Sequence, residues 1–146
     1  MKRCASLVGL LLIFGWPAPA PAAKEGAKDI VLADCLVIQP VGRYGRASLH
    51  LDALEAEIVA GRWQAPKSGD KVKSPLGGER TWEAATAKDG VLNHAALSGG
   101  YLYWKVEVEE AHPRILEASG HLLVYVNGEP RAGDPYQNGI VRLPVQ

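Results

Sequence analysis

Apolar and polar residues alternate most strictly between Tyr101 and Glu110. Leu102, Trp104, Val106 and Val108 share one face there, and Tyr101, Tyr103, Lys105, Glu107 and Glu109 share the other. A period of two marks a strand in a sheet with one dry side, so the pattern predicts a long strand with Trp104 in the core. Shorter runs repeat the theme. Ile30-Val31-Leu32 and Cys35-Leu36-Val37-Ile38 are apolar and β-branched, and Pro40 stops them, which favours strand over helix. Thr81 to Ala85, Val91-Leu92 beyond an Asp89-Gly90 turn, Arg114 to Ala118, His121 to Val126 and Gly139 to Val145 add further short strands. The His121 to Val126 run leads into Asn127-Gly128. That pair is a strong hairpin signal, because both central residues of a type I′ turn need positive φ.

One helix interrupts the strands, from about Asp52 to Ala60. Asp52 followed by Glu55 makes a capping-box-like start, since an Asp oxygen accepts from the free amides of a first turn. Leu51, Leu54 and Ile58 fall on one face, and Gly61 is a natural stop. Gly42 to Arg46 reads as a loop. Arg62 to Arg80 reads as a long loop with turn signals at Gly69-Asp70, Ser74-Pro75 and Gly77-Gly78. Many short strands with one short helix predict a mainly β domain, either a sandwich or a barrel.

Composition narrows the setting. Met1 to Ala23 has the form of a secretory signal peptide: Lys2 and Arg3, an apolar Leu7 to Trp16, then small residues that place cleavage after Ala22 or Ala23. The apolar stretch falls short of the roughly 20 residues that span a bilayer, so no membrane span is expected after cleavage. The expected organisation is a signal peptide over 1–23, a lead-in over 24–34 and a β domain over 35–146, in a secreted or periplasmic protein. Removing Lys2 and Arg3 from the 16 basic residues leaves 14 against 16 acidic ones. A chain that is not basic does not suit nucleic acid, whose phosphates need clustered Lys and Arg. The single Phe, Phe14, goes with the signal, so the core must use Trp, Tyr, Leu, Val and Ile. Cys4 goes too, which leaves Cys35 without a disulfide partner in the chain.

Candidate chemistry is sparse. His50, His94, His112 and His121 lack metal-ligand spacing and read as surface or satisfied histidines. Ser119 and His121 lie close in sequence, but no G-x-S-x-G elbow surrounds the serine. Glu109-Glu110 reads as a wet strand end, and Cys35, in an apolar run, as a structural thiol. No catalytic residue, metal or cofactor is expected. Aromatics are the remaining candidates. Trp63, Trp82, Tyr44 and Tyr136 fall in or near loops, with Arg131, Asp134 and Asn138 at hand to hydrogen-bond a ligand. Loop aromatics of this kind stack on sugar rings, although a core without Phe also consumes them. Trp63, Trp82, Arg131, Asp134, Tyr136 and Asn138 are thus candidate ligand contacts. Trp104, Asn127 and Gly128 are expected to be structural.

Gly99-Gly100-Tyr101-Leu102-Tyr103-Trp104, followed by Leu116 to Val126 and Asn127-Gly128-Glu129-Pro130, resembles the galactose-binding-like jelly-roll modules of secreted bacterial hydrolases. In those modules an apolar-aromatic strand precedes a V-x-V-N-G-E/K hairpin. The order Trp63, Gly69-Asp70, Trp82, Asp89-Gly90 fits as well, so the resemblance covers about Leu36 to Val145. Arg131 to Tyr136 is most similar to the N-terminal part of large exported proteins with a prolyl-oligopeptidase-like α/β-hydrolase domain. The resemblance implies a β-sandwich of jelly-roll type and a non-catalytic accessory module, with a downstream catalytic domain or carbohydrate as partner. The alternative is a free-standing carbohydrate-binding protein. No catalytic residue carries over. The resembling modules continue past Val145, so the sandwich is expected to need a further strand, and the isolated chain to self-associate through an open edge.

Overall fold

The computed structural model describes residues 29–43, 51–108, 113–131, 133–136, 138–139 and 141–145. The segment expected to be a signal peptide, together with Tyr44, His50, Glu109, Glu110 and His112, lies outside the described residues. Every secondary-structure element among the described residues falls within the unit Val31–Gln146. In chain order these are β1 (Asp34–Ile38), β2 (Gly42–Arg43), β3 (Leu51–Asp52), α1 (Ala53–Val59), β4 (Lys71–Lys73), β5 (Glu79–Thr81) and β6 (Glu83–Thr86). A 3-10 turn at Ala95–Leu97 precedes β7 (Tyr101–Tyr103), β8 (Arg114–Ala118), β9 (Val124–Val126), β10 (Glu129–Arg131) and β11 (Val141–Val145).

Among the described residues the fold is mainly β with one α-helix, and its sheets are small and antiparallel. The largest has three strands in the order β6-β1-β7, and the ribbons β2–β3, β4–β5, β8–β11 and β9–β10 have two each. Among the described residues no sheet closes into a barrel.

β1 is the centre because both its faces are covered. Leu36 and Ile38 point one way, opposite Tyr103 and Tyr101 of β7, into a cluster with Val41, Leu54 and Trp82. Cys35 and Val37 point the other way, towards Ala96, Ala85 and Trp104. Val37 and Val41 are fully buried and Ile38 nearly so. Each such side chain contributes roughly 1.5–3 kcal/mol relative to exposure.

That two-sided burial overturns the expected dry face of the Tyr101 strand. β7 ends at Tyr103, and no strand follows from Trp104 to Val108. Tyr101 and Tyr103 turn towards the first cluster, while Leu102, Val106 and Val108 are each about 40% exposed. Trp104 still packs inward, half-buried against the second cluster. The Arg62 to Arg80 loop is also corrected, since it holds the β4–β5 hairpin, with Val72 opposite Arg80. Ser74 folds its tip: the Leu76 amide donates to Ser74 Oγ at 3.2 Å and the Gly77 amide to the Ser74 carbonyl at 3.0 Å. Gly42-Arg43, expected as loop, pairs with Leu51-Asp52. Val91-Leu92 forms no strand, although Asp89 and Gly90 turn with φ of 51° and 75° and Lys88 bridges Val91.

The helix forms where the capping pattern puts it. Asp52 is extended (φ −122°), and its Oδ1 accepts from the Leu54 and Glu55 amides at 2.9 and 3.0 Å. Leu54 is the buried residue of the helix, and Gly61 leaves it with φ of 66°. Asp52→Ala is expected to cost about 1–2 kcal/mol, seen as a lower thermal midpoint with helical signal lost first. An unchanged melt would contradict this account of the cap.

Candidate functional site

The β9–β10 hairpin turns at Asn127-Gly128 with φ of 53° and 82°, as a type I′ turn requires. This turn faces Trp63: a Cβ added to Gly128 would sit 3.9 Å from the indole Cε3. Trp63 is held from behind, its amide donating to the Glu57 carbonyl at the end of α1, at 3.1 Å. Its ring lies 5.8 Å from that of Tyr103, tilted by 54°. Tyr103 is in turn fixed by the register of β7 on β1, opposite Leu36. Three elements therefore converge on one half-buried aromatic pair. The tilt and spacing are those of a favourable aromatic contact, and both rings keep part of their surface open.

Beside this pair, the Tyr101 phenol lies close to Asp52, the cap of α1. Burial first, and then Asp52, hold the Tyr101 phenol far above the ordinary tyrosine range. Tyr125 of β9 is raised as well, by burial and then by Glu55 and Asp52. Both groups thus favour the folded state while neutral. Their contribution is full below the unfolded tyrosine pKa of about 10 and is lost as pH rises through the raised folded values. A spectrophotometric titration is expected to show Tyr101 ionising only with unfolding and Tyr125 ionising above the ordinary tyrosine range. Ionisation of every tyrosine near pH 10 with the fold intact would contradict it.

The other expected contacts divide. Trp82 is buried, only 4% exposed, with its amide donating to the Asp70 carbonyl at 2.9 Å. It fills the core beneath the β4–β5 hairpin and presents no ring to a ligand, which corrects its expected role. Asp134 is also buried, and its Oδ1 and Oδ2 accept from the Asn138 and Gly139 amides at 2.8 and 2.9 Å. It ties its own loop. Arg131 pairs with Glu129 at 3.0 Å on the exposed side of β10. Tyr136 is 85% exposed and Asn138 is exposed, so both remain open to a partner. Tyr101, Tyr103 and Tyr125, which the structure brings to this surface, are not singled out by the sequence pattern. The signal that points to them is the absence of Phe outside the N-terminal segment, which presses tyrosines into partly buried positions.

Both ring nitrogens of His121 are buried without a hydrogen-bond partner, so Ser119 is not bonded to that histidine. The His94 Nδ1 accepts from the Ala96 amide at 3.2 Å and is satisfied locally. Burial, and then Asp34, raise the Cys35 thiol, which sits 3.4 Å from the Ala85 carbonyl. Among the described residues no three His, Cys, Asp or Glu side chains come together as a metal site would need. A shallow groove of about 530 Å³ runs between α1 and the β4–β5 turn, past Ala53, Ala56 and Pro75.

No family model, curated protein or solved structure matches the chain. The Trp63–Tyr103 pair, with both rings half-buried, is an arrangement that can hold the apolar face of a ligand. No helix among the described residues is long and apolar enough to cross a membrane.

Proposed function

We propose that this chain is an exported, non-catalytic accessory module of a secreted hydrolase, and that it holds carbohydrate against Trp63 and Tyr103. The observation that carries the proposal is the half-open aromatic pair, 5.8 Å apart, lodged beside the Asn127-Gly128 turn. The C–H face of a pyranose ring is apolar enough to lie on such rings, while its hydroxyls need polar neighbours. Arg131, at the end of the same hairpin, and Tyr136 and Asn138 beyond it are exposed polar groups that would supply these on this reading. The finer fold proposal accompanies it: the small antiparallel sheets are parts of a galactose-binding-like jelly roll. The β9–β10 hairpin, with Val124-Tyr125-Val126-Asn127-Gly128-Glu129, supports that resemblance. The basic, apolar and small-residue order of the first 23 residues supports a secreted or periplasmic location. A glycan array tests the function. The expected result is binding to a restricted set of glycans, with no turnover of ester, peptide or glycoside substrates. Turnover lost in Ser119→Ala or His121→Ala would overturn the non-catalytic reading, and a blank array would overturn the carbohydrate one.

A further inference from the structure

Residues 104–108 have the alternation of a strand and, among the described residues, no strand to pair with. β7 pairs with β1 only from Tyr101 to Tyr103, and the chain beyond it joins no ladder. Its side chains are nonetheless set out as in a strand. Lys105 Nζ meets Glu107 Oε1 at 2.7 Å, which puts these alternate residues on one side of the chain. Trp104 is held inward by the second cluster, while Val106 and Val108 are 38% and 42% exposed. An extended segment with open backbone groups and exposed apolar side chains is a template for another strand.

The charges choose that strand. Laid antiparallel on a second copy of itself, with Val106 opposite Val106, the segment brings Lys105 opposite Glu107 and Trp104 opposite Val108. Directly opposed residues share a face in an antiparallel pair, so this register joins apolar to apolar and basic to acidic. A two-fold axis through Val106 generates it. The neighbouring two-fold registers, centred on Lys105 or on Glu107, would oppose like charges. We infer that residues 104–108 are an interface for a second copy of this chain, which adds its own segment as a strand. The Lys105–Glu107 pair within each chain is then exchanged for two pairs between chains. Five paired residues fall short of a standard interface, so the dimer dissociates on dilution. This inference is independent of the carbohydrate reading.

Sedimentation equilibrium of the purified chain and two charge reversals tests it. The parent is expected to show a monomer–dimer equilibrium. Lys105→Glu and Glu107→Lys each leave like charges opposed at both pairs, and each is expected to weaken the dimer about tenfold. Both side chains are exposed, 66% and 83%, so dichroism should show both variants folded. Mixed in equal amounts, the two variants oppose unlike charges again and are expected to form heterodimers as readily as the parent forms its dimer. A parent that stays monomeric at every soluble concentration overturns the inference. So does association that either reversal leaves unchanged, because another edge then carries it. Failure of the mixture to recover the dimer overturns the register, and growth of the parent beyond a dimer overturns the closed two-fold contact.

Discussion

Gly100→Ala is expected to abolish the cooperative fold. A Cβ at this position would lie 2.1 Å from the backbone oxygens of both Ala96 and Ile38. Neither neighbour is a flexible side chain. Ile38 closes β1 opposite Tyr101, the residue next to Gly100, and Ala96 belongs to the 3-10 turn packed under the same strand. Relief requires moving β1, β7 or the turn, and β1 is the middle strand of the main sheet. Overpacking a core typically costs about 1–3 kcal/mol, and a clash with two fixed carbonyls should exceed that range. Far-UV dichroism and a thermal melt would show it. A variant that melts within a few degrees of the parent would mean that Gly100 does not sit in this crevice.

Trp82→Ala is expected to cost about 3–5 kcal/mol, the range for deleting a buried aromatic. The indole is 4% exposed and packs with Ile38, Val41 and Leu54, where β1, the helix and the β4–β5 hairpin meet. Trp104→Ala removes a ring of the same size from a half-buried place, so it should cost less. Urea denaturation of the two variants orders them. A larger loss at Trp104 would reverse the account of which tryptophan anchors the core.

Turn and cap chemistry was the most legible part of the sequence, because it is local. Asp52 caps its helix, Gly61 ends it, and Asp89-Gly90 and Asn127-Gly128 take the positive φ their types require. Arg114–Ala118 is a strand at the bounds its apolar run suggests, paired along its length with β11. The β4–β5 hairpin was illegible because Lys71, Lys73, Glu79 and Arg80 keep its strands polar, so no apolar period announces them. The face of the Tyr101 strand was misread for a different reason. Alternation reports that two faces differ, and in a core without Phe the tyrosine face was the one to be packed. The candidate site was half legible. Trp63 stands where a ligand could reach it, but nothing local distinguishes Trp63 from Trp82, since long-range packing alone buries one and leaves the other partly open.

On the proposed function, Trp63 forms the binding surface together with Tyr103, under the hairpin turn. Titration calorimetry of Trp63→Ala with the best-binding arrayed glycan tests it most directly, with dichroism confirming the fold. The account predicts a loss of affinity of at least about tenfold in the folded variant, as expected for removing a stacking aromatic. Unchanged affinity in a folded Trp63→Ala chain would contradict it.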